Sequence, residues 1–293
     1  MIPEYNYIDE HGIETIDDEE LHFMYKYLRD NVKEGNLLNL GSGITHIHQM
    51  CAIEDKLTEI TSIDLQPENN VLVRELIERA LNLNDYQKGI RLASEGDVDL
   101  LRLIAEAMHK DPSYGIEKSG SETLSSLYKK MQHNGRLDIK TRDMISSMDK
   151  LGSGEIVDGR TYDNALMLFS RFTRNPEETD KFISNVNKRI NEGGKFIIID
   201  AEVYGGADTE SDESALQEGK KVEEEYSEVH DWTKEEMIEI LKRAGFKSVK
   251  AETHEISEDS DSEQRTFGSR YLCCSRQAPK VKMKNFGVAV RFY

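Results

Sequence analysis

The chain has 293 residues, and its 56 acidic against 38 basic side chains give a formal net charge of −18. This balance argues against a nucleic-acid backbone or an anionic membrane as the main partner, because both recruit basic surfaces. We therefore expect no nucleic acid and no membrane among its partners. The length suits one α/β domain with a sizeable insertion.

Cysteine usage and the amino-terminal sequence indicate the compartment. No basic segment followed by an apolar run opens the chain, so no signal peptide is expected. No stretch approaches the roughly 18 apolar residues of a membrane span. Cys51, Cys273 and Cys274 are odd in number and lack framework spacing, which favours a reducing, cytoplasmic location. Adjacent Cys273 and Cys274 are predicted to lie in a buried strand, pointing to opposite faces, rather than to form a redox or metal pair.

The first half of the chain predicts alternating helices and strands, followed by extra helices. Residues 1–17 are predicted to be a loop or short lid, and apolar residues at helical spacing predict a helix over 18–32. The next predicted elements are strand 36–40, helix 45–56, strand 59–64 and a helical pattern over 67–134. A doubly wound sheet needs only one crossover helix in this interval, so we expect a helical insertion over about 70–135.

The second half predicts further strands and helices. Thr233 followed by Glu236 is a capping box that starts a helix, and Gly245 ends it. The other predicted elements are strands 136–141, 162–169 and 195–200, helix 176–191, turn 192–194, a cover with a helix over 202–230, and strands 246–255 and 267–275. The predicted organisation is an N-terminal lid and helix over 1–35, a main domain over 36–276 that carries the insertion, and a tail over 277–293 whose alternation permits an extra strand.

The most informative motif joins the first two strands. Gly41 and Gly43 follow the first strand, and Asp64 follows the second about twenty residues later, which is the spacing of a βαβ nucleoside site. Glycine lets the backbone approach a ligand, and the carboxylate can accept hydrogen bonds from both ribose hydroxyls. A pyrophosphate site would need a third glycine where this chain has His46. The site therefore favours a nucleoside without phosphate, such as S-adenosylmethionine.

The stretch Leu38-Asn39-Leu40-Gly41-Ser42-Gly43 resembles the first motif of class I S-adenosylmethionine-dependent methyltransferases. That family usually has an acid where this chain has Asn39. The resemblance implies a Rossmann-like, doubly wound α/β fold with a mostly parallel seven-stranded sheet, here with a helical insertion. It also implies S-adenosyl-L-methionine as cofactor and S-adenosyl-L-homocysteine as product.

Gly41-Ser42-Gly43 is soon followed by Thr45, and Asp64 is followed five residues later by Asn69. This pattern resembles the nicotinamide, phenylethanolamine and indolethylamine N-methyltransferase family. The resemblance implies that Asp64 and Asn69 hold the ribose and adenosine end, and that Asp143 and Met144 bracket the adenine. The full implied cofactor-binding set is Asn39, Gly41, Ser42, Gly43, Thr45, His48, Asp64, Leu65, Asn69, Asp143, Met144, Leu168 and Phe169. From the residues alone, a surface turn for Asp64, a helix cap for Asp143 and a purely structural role for Leu168 and Phe169 stay open.

The acceptor side rests on the strand that ends in Asp200-Ala201. In the nicotinamide enzyme, the matching Asp reaches into the acceptor pocket, so Asp200 is expected to bind the acceptor; a capping role stays open. Asp200 with Glu202 would orient an amine and stabilise positive charge that develops on it. Tyr5, Tyr7, Tyr25 and Tyr27 are candidates for a tyrosine-bearing lid, with Tyr5 and Tyr7 favoured as acceptor contacts.

The predicted function is methyl transfer from S-adenosylmethionine to a small amine or N-heterocycle, by a monomer or homodimer. One alternative keeps the cofactor but transfers an aminocarboxypropyl group or cyclises the donor, and either route releases methylthioadenosine. A second is an inactive S-adenosylmethionine-binding partner subunit, which Asn39 permits. A dehydrogenase is disfavoured by His46. No metal is expected, because His46 and His48 would diverge at a helix start.

Overall fold

The computed structural model describes residues 18–41, 47–64, 67–81, 101–102, 105–106, 108–132, 160–168, 176–204, 233–257 and 266–276. The predicted lid over 1–17, strand 136–141, the tail and most of the 202–230 cover lie outside these residues.

Helices and strands alternate along the described chain. The helices are α1 (Asp18–Asn31), α2 (Ile47–Ile53), α3 (Pro67–Ala80), α4 (Gly120–Lys130), α5 (Pro176–Arg189) and α6 (Lys234–Arg243), with 3-10 turns at Glu54–Lys56 and Pro112–Tyr114. The strands are β1 (Gly35–Leu40), β2 (Leu57–Ile63), β3 (Met131–Gln132), β4 (Tyr162–Leu168), β5 (Ile190–Tyr204), β6 (Phe246–Ser257) and β7 (Thr266–Arg276).

The described strands form one seven-stranded sheet in the order β3-β2-β1-β4-β5-β7-β6. Strands β3, β2, β1, β4 and β5 pair in parallel, whereas β7 pairs antiparallel with both β5 and β6. The sheet is thus of mixed orientation, and its third strand has only two residues. Among the described strands only β7 runs opposite to the others, so the predicted seven-stranded, mostly parallel sheet is present.

Helices cover both faces of the sheet, which makes the fold Rossmann-like and doubly wound. One hydrophobic layer takes apolar residues from α1, α2, α3 and α4, and the other from α5 and α6. Strand β1 supplies both layers, since Leu37 belongs to the first and Leu38 and Leu40 to the second. A continuous apolar run is expected of a strand that is buried on both faces.

The register aligns the carboxyl ends of the central strands. Leu40 at the end of β1 is paired with Ile63 of β2 and with Met167 of β4, and Met167 is paired with Ile198 of β5. The next residue of each strand therefore lies in one row across the sheet. Ligands of open α/β sheets bind outside this edge.

Strand β5 is longer than its sequence predicts. Its expected end at Asp200 is wrong, because the strand continues to Tyr204, and Asp200 is the register partner of Arg270 in β7. β4 ends at Leu168, opposite Ile199. The antiparallel pairing with β7 supplies backbone partners for residues 200–204, so the strand persists through an acidic stretch that reads as a loop.

The predicted turn over 192–194 lies within β5, where it causes a shift in the pairing with β4. Tyr162 is paired with Ile190, but two residues later Asn164 is paired with Lys195. Gly193 there has φ +73°, in the left-handed region that glycine adopts without strain. The predicted capping box is confirmed, since the Thr233 hydroxyl accepts from the Glu236 amide (3.2 Å) and the Glu236 carboxylate accepts from the Thr233 amide (2.9 Å).

An ion cluster holds the insertion to the sheet. Glu54, which follows α2, has a side chain only 1% exposed, and its carboxylate contacts the ammonium groups of Lys118 (2.8 Å) and Lys130. Lys130 also donates to the backbone carbonyl of Glu54 (2.8 Å). Burial alone would raise the pKa of the Glu54 carboxyl, but the two lysines outweigh it and hold that pKa below its usual value. None of the described helices is long and apolar enough to cross a membrane.

Candidate functional site

The glycine turn and the second-strand acid meet at the carboxyl edge of β1 and β2. Gly41 follows β1 with φ +62°, and its amide donates to the carbonyl of Ile63, the last residue of β2, at 2.8 Å. Asp64 follows immediately and is 9% exposed. The structure therefore brings the predicted residues Gly41 and Asp64 together. The hydrogen bond between the Gly41 amide and the Ile63 carbonyl fixes the separation of their backbones.

Asn39 and Ser62 lie one step inside this edge. They are register partners in β1 and β2, so their side chains share one face of the sheet. Each residue is 2% exposed, and within the described part of the chain the Asn39 Oδ1 and Ser62 Oγ atoms have no hydrogen-bond partner. A buried polar atom without a partner costs about 1–3 kcal/mol, so a pair of them calls for an explanation such as a bound polar ligand.

The start of α2 contributes His48 and Gln49, both buried. His48 Nδ1 shares a hydrogen bond of 2.8 Å with the hydroxyl of Tyr25 in α1. Gln49 Nε2 lies 3.7 Å from the sulfur of Met24, while its Oε1 finds no partner among the described groups. A third unsatisfied oxygen therefore lies on α2.

A second tyrosine–histidine pair adjoins the first. Tyr114, in the 3-10 turn of the insertion, shares a hydrogen bond of 2.6 Å with His22 Nδ1 of α1. The Tyr114 ring also meets the Tyr25 ring edge-on, with centroids 6.1 Å apart. Burial raises the pKa of Tyr114 to about 12, so its hydroxyl remains protonated at neutral pH.

Other predicted site residues are placed less directly. Leu168 ends β4 fully buried in the hydrophobic layer that also holds Leu166 and Ile199, which gives it a packing role whatever else it contacts. Tyr25 and Tyr27 are buried in α1. For Asn69, Asp200 and Glu202 only the backbone is described, Asn69 in α3 and the other two in β5. Ser42, Gly43, Thr45, Leu65, Asp143, Met144, Phe169, Tyr5 and Tyr7 lie outside the described residues.

Sequence reasoning missed Ser62, Gln49 and Tyr114. Ser62 carried a usable signal, because a small polar residue two positions before the strand-end Asp64 lies on the same face as Asn39 once the strands pair in register. Tyr114 carried none, since its contacts with His22 and Tyr25 join residues far apart in the chain.

The cysteines are buried in apolar surroundings. Cys273 and Cys274 are neighbours in β7, and each belongs to a different hydrophobic layer, as predicted for a buried strand. Burial raises the pKa of both thiols and that of Cys51, which keeps them protonated and unreactive. Within the described ranges, no group of three His, Cys, Asp or Glu side chains is placed to hold a metal ion.

No protein-family model matches the chain, and none of the curated proteins matches it in sequence. Solved structures do overlap with it at low similarity. Phosphoethanolamine N-methyltransferase 2 of Haemonchus contortus, in complex with phosphomonomethylethanolamine and S-adenosylhomocysteine, has 12% identity and a TM-score of 0.44 over 94% of this chain and 57% of its own. A SAM-dependent methyltransferase of Methanosarcina mazei has 13% identity and a TM-score of 0.41 over 86% of this chain and 97% of its own. An O-methyltransferase family protein of Burkholderia thailandensis has 9% identity and a TM-score of 0.43, over 94% of this chain and 60% of its own.

Proposed function

We propose that this protein transfers a methyl group from S-adenosylmethionine to a small molecule that carries an amine or an N-heterocycle. The observation that carries the proposal is the edge formed by Gly41, Asp64, Asn39 and Ser62. It joins a glycine in the left-handed region, a carboxylate and two unsatisfied buried oxygens at the carboxyl ends of adjacent parallel strands. This is the place where open α/β sheets bind nucleosides.

The residues present fit an adenosyl group without phosphate. The Asp64 carboxylate offers lone pairs for two ribose hydroxyls, and Gly41 lets the ligand approach the backbone. The Asn39 Oδ1 and Ser62 Oγ atoms can accept hydrogen bonds from a hydroxyl or ammonium group of the ligand. The Asn39 Oδ1 atom only accepts hydrogen bonds, so it suits a ligand hydroxyl or ammonium group better than a phosphate, which needs donors.

The bound cofactor would supply a methyl group that is already activated on a sulfonium. What remains for the protein is to hold the two reactants in line and to keep the site dry. The buried positions of Asn39, Ser62 and Asp64 match that role, because each of them is at most 9% exposed.

The acceptor side would be formed by the extended β5. Leu168, the last residue of β4, is paired with Ile199 of β5. Asp200 and Glu202 come after Ile199, so their backbone lies beyond the carboxyl edge of the central strands. We assign these two acids to orienting the acceptor nitrogen and stabilising its developing positive charge. The choice of an amine acceptor rests on these acids.

A label-transfer assay tests the proposal. The protein is incubated with S-adenosylmethionine labelled in the methyl group and a library of primary amines, ring nitrogens, thiols and phenols. Label on a nitrogen acceptor, with S-adenosylhomocysteine as by-product, is the expected result. Release of methylthioadenosine instead would show aminocarboxypropyl transfer or cyclisation, and binding of the donor without turnover would indicate an inactive subunit.

A further inference from the structure

Helix α2 is held at both ends by contacts that involve the insertion between β2 and β3. At its start, His48 is hydrogen-bonded to Tyr25, whose ring packs against Tyr114 of the insertion. Just past its end, the Glu54 carboxylate pairs with Lys118, which precedes α4, and with Lys130, the last residue of α4. The helix between these contacts carries His48 and Gln49, two buried residues of the candidate site.

The contacts at the start of α2 form a continuous buried path. Tyr25, His48 and Tyr114 are each less than one-tenth exposed, and the Tyr25 and His48 rings lie 5.8 Å apart at 77°. Tyr114 is fixed in turn by its 2.6 Å hydrogen bond to His22. Tyr25 is the residue common to both steps, since its hydroxyl reaches α2 and its ring reaches the insertion.

The clamp at the other end makes the insertion a rigid partner. A carboxylate that is 1% exposed requires its two lysines, because an unpaired charge at that depth is strongly disfavoured. Movement of residues 118–130 away from α2 would leave the buried Glu54 carboxylate without its two lysines. The insertion and the end of α2 are therefore expected to move together.

We propose that the insertion positions α2, and with it His48 and Gln49 of the nucleoside site, and that Tyr25 is the positioning residue that couples the insertion to α2. This inference rests on the proposed function for the identity of the ligand. Positioning is reciprocal, so a ligand that contacts α2 also stabilises the insertion around Tyr114.

The test compares Tyr25→Phe with Tyr128→Phe. Both substitutions delete one tyrosine hydroxyl and keep the ring, but the Tyr128 hydroxyl donates to Glu78 near the end of α3 and not to a residue of α2. Binding of S-adenosylhomocysteine is measured by calorimetry, and amide hydrogen exchange of residues 108–118 is followed with and without it. Thermal melting of both variants reports any general loss of stability.

We expect Tyr25→Phe to weaken binding about fivefold, the change that loss of one ordinary hydrogen bond produces, and Tyr128→Phe to leave it unchanged. In the unmodified protein and in Tyr128→Phe, the ligand should slow exchange in residues 108–118; in Tyr25→Phe it should not. A Tyr25→Phe variant that binds and protects like the unmodified protein would overturn the coupling and leave the proposed function intact. Failure of the unmodified protein to bind would overturn both.

A second pair of variants tests the clamp. Lys118→Met removes a charge from buried Glu54, whereas Lys242→Met removes a comparable charge from an exposed pair with Glu239. Weaker S-adenosylhomocysteine binding in Lys118→Met alone supports positioning by the insertion. Equal affinities in the two variants would contradict it.

Discussion

Asn39 and Ser62 are register partners on adjacent parallel strands, and both place a buried oxygen where no described group hydrogen-bonds it. By contrast, both polar atoms of the buried Asn164 side chain in β4 are hydrogen-bonded. Its Oδ1 accepts from the Lys33 amide and its Nδ2 donates to the Lys33 carbonyl, both at 2.9 Å. We therefore infer that Asn39 contacts the proposed ligand, whereas Asn164 stabilises the fold.

This contrast predicts opposite effects for the same substitution. Asn39→Leu removes an unsatisfied oxygen, so stability should stay equal or rise by up to about 1 kcal/mol, while affinity for S-adenosylhomocysteine falls at least about tenfold. Asn164→Leu leaves the Lys33 backbone groups without partners and should cost about 2 kcal/mol of stability. Urea unfolding and calorimetry measure the two quantities. Marked destabilisation by Asn39→Leu would show that the side chain serves the fold.

Substitution of Asp64 should affect binding far more than folding. Asp64→Asn keeps the shape but loses the charge that strengthens hydrogen bonds to ribose hydroxyls, so we expect affinity to fall at least about tenfold. Asp55→Asn is the control, because Asp55 forms a half-exposed pair with Arg29 at 2.9 Å. A calorimetric titration in which both variants bind equally well would refute the ribose role of Asp64.

Two glycines with nearly the same backbone conformation separate strain from binding. Gly41 has φ +62° and Gly193 has φ +73°, so alanine at either position should cost about 1–2 kcal/mol of stability. A Cβ on Gly193 would meet only the Lys33 Nζ atom, at an ordinary contact distance of 3.6 Å. Only Gly41→Ala should also weaken ligand binding, because only Gly41 lies at the proposed nucleoside edge. Equal loss of affinity in both variants would mean that strain alone explains the effect.

The buried ion cluster predicts a pH dependence of stability. The pKa of Glu54 is lower in the folded state than the value of about 4.3 in an unfolded chain. Its contribution is therefore fully present above that value and is lost as the pH falls through the lower folded pKa. Glu54→Gln should cost roughly 3 kcal/mol at pH 7 and should lose less additional stability than the unmodified protein when the pH is lowered to 4 and below. Parallel stability losses in urea unfolding across this pH range would contradict the prediction.

Local patterns predicted the parts of the fold that depend on neighbouring residues. The apolar run in β1 marked a strand buried on both faces, and Thr233 with Glu236 marked the start of α6. The spacing of Gly41 and Asp64 predicted their meeting at the sheet edge, because parallel strands in register align their carboxyl ends.

Features that depend on distant partners were not predictable. Asp200 reads as the end of a strand, but pairing with β7 extends that strand to Tyr204. The contact of Tyr25 with His48 and Tyr114 depends on how α1 and the insertion pack against α2, and periodicity gives no information on that. The missing partners of Asn39 and Ser62 are likewise visible only once both strands are placed.

Calorimetric titration of the purified chain with S-adenosylhomocysteine, S-adenosylmethionine and a nicotinamide dinucleotide tests the central claim most directly. We predict saturable binding of both adenosyl compounds at one site. We predict no binding of the dinucleotide, because the protein lacks the third glycine with which a dinucleotide fingerprint seats the pyrophosphate. No heat with either adenosyl compound, together with saturable binding of the dinucleotide, would contradict the account.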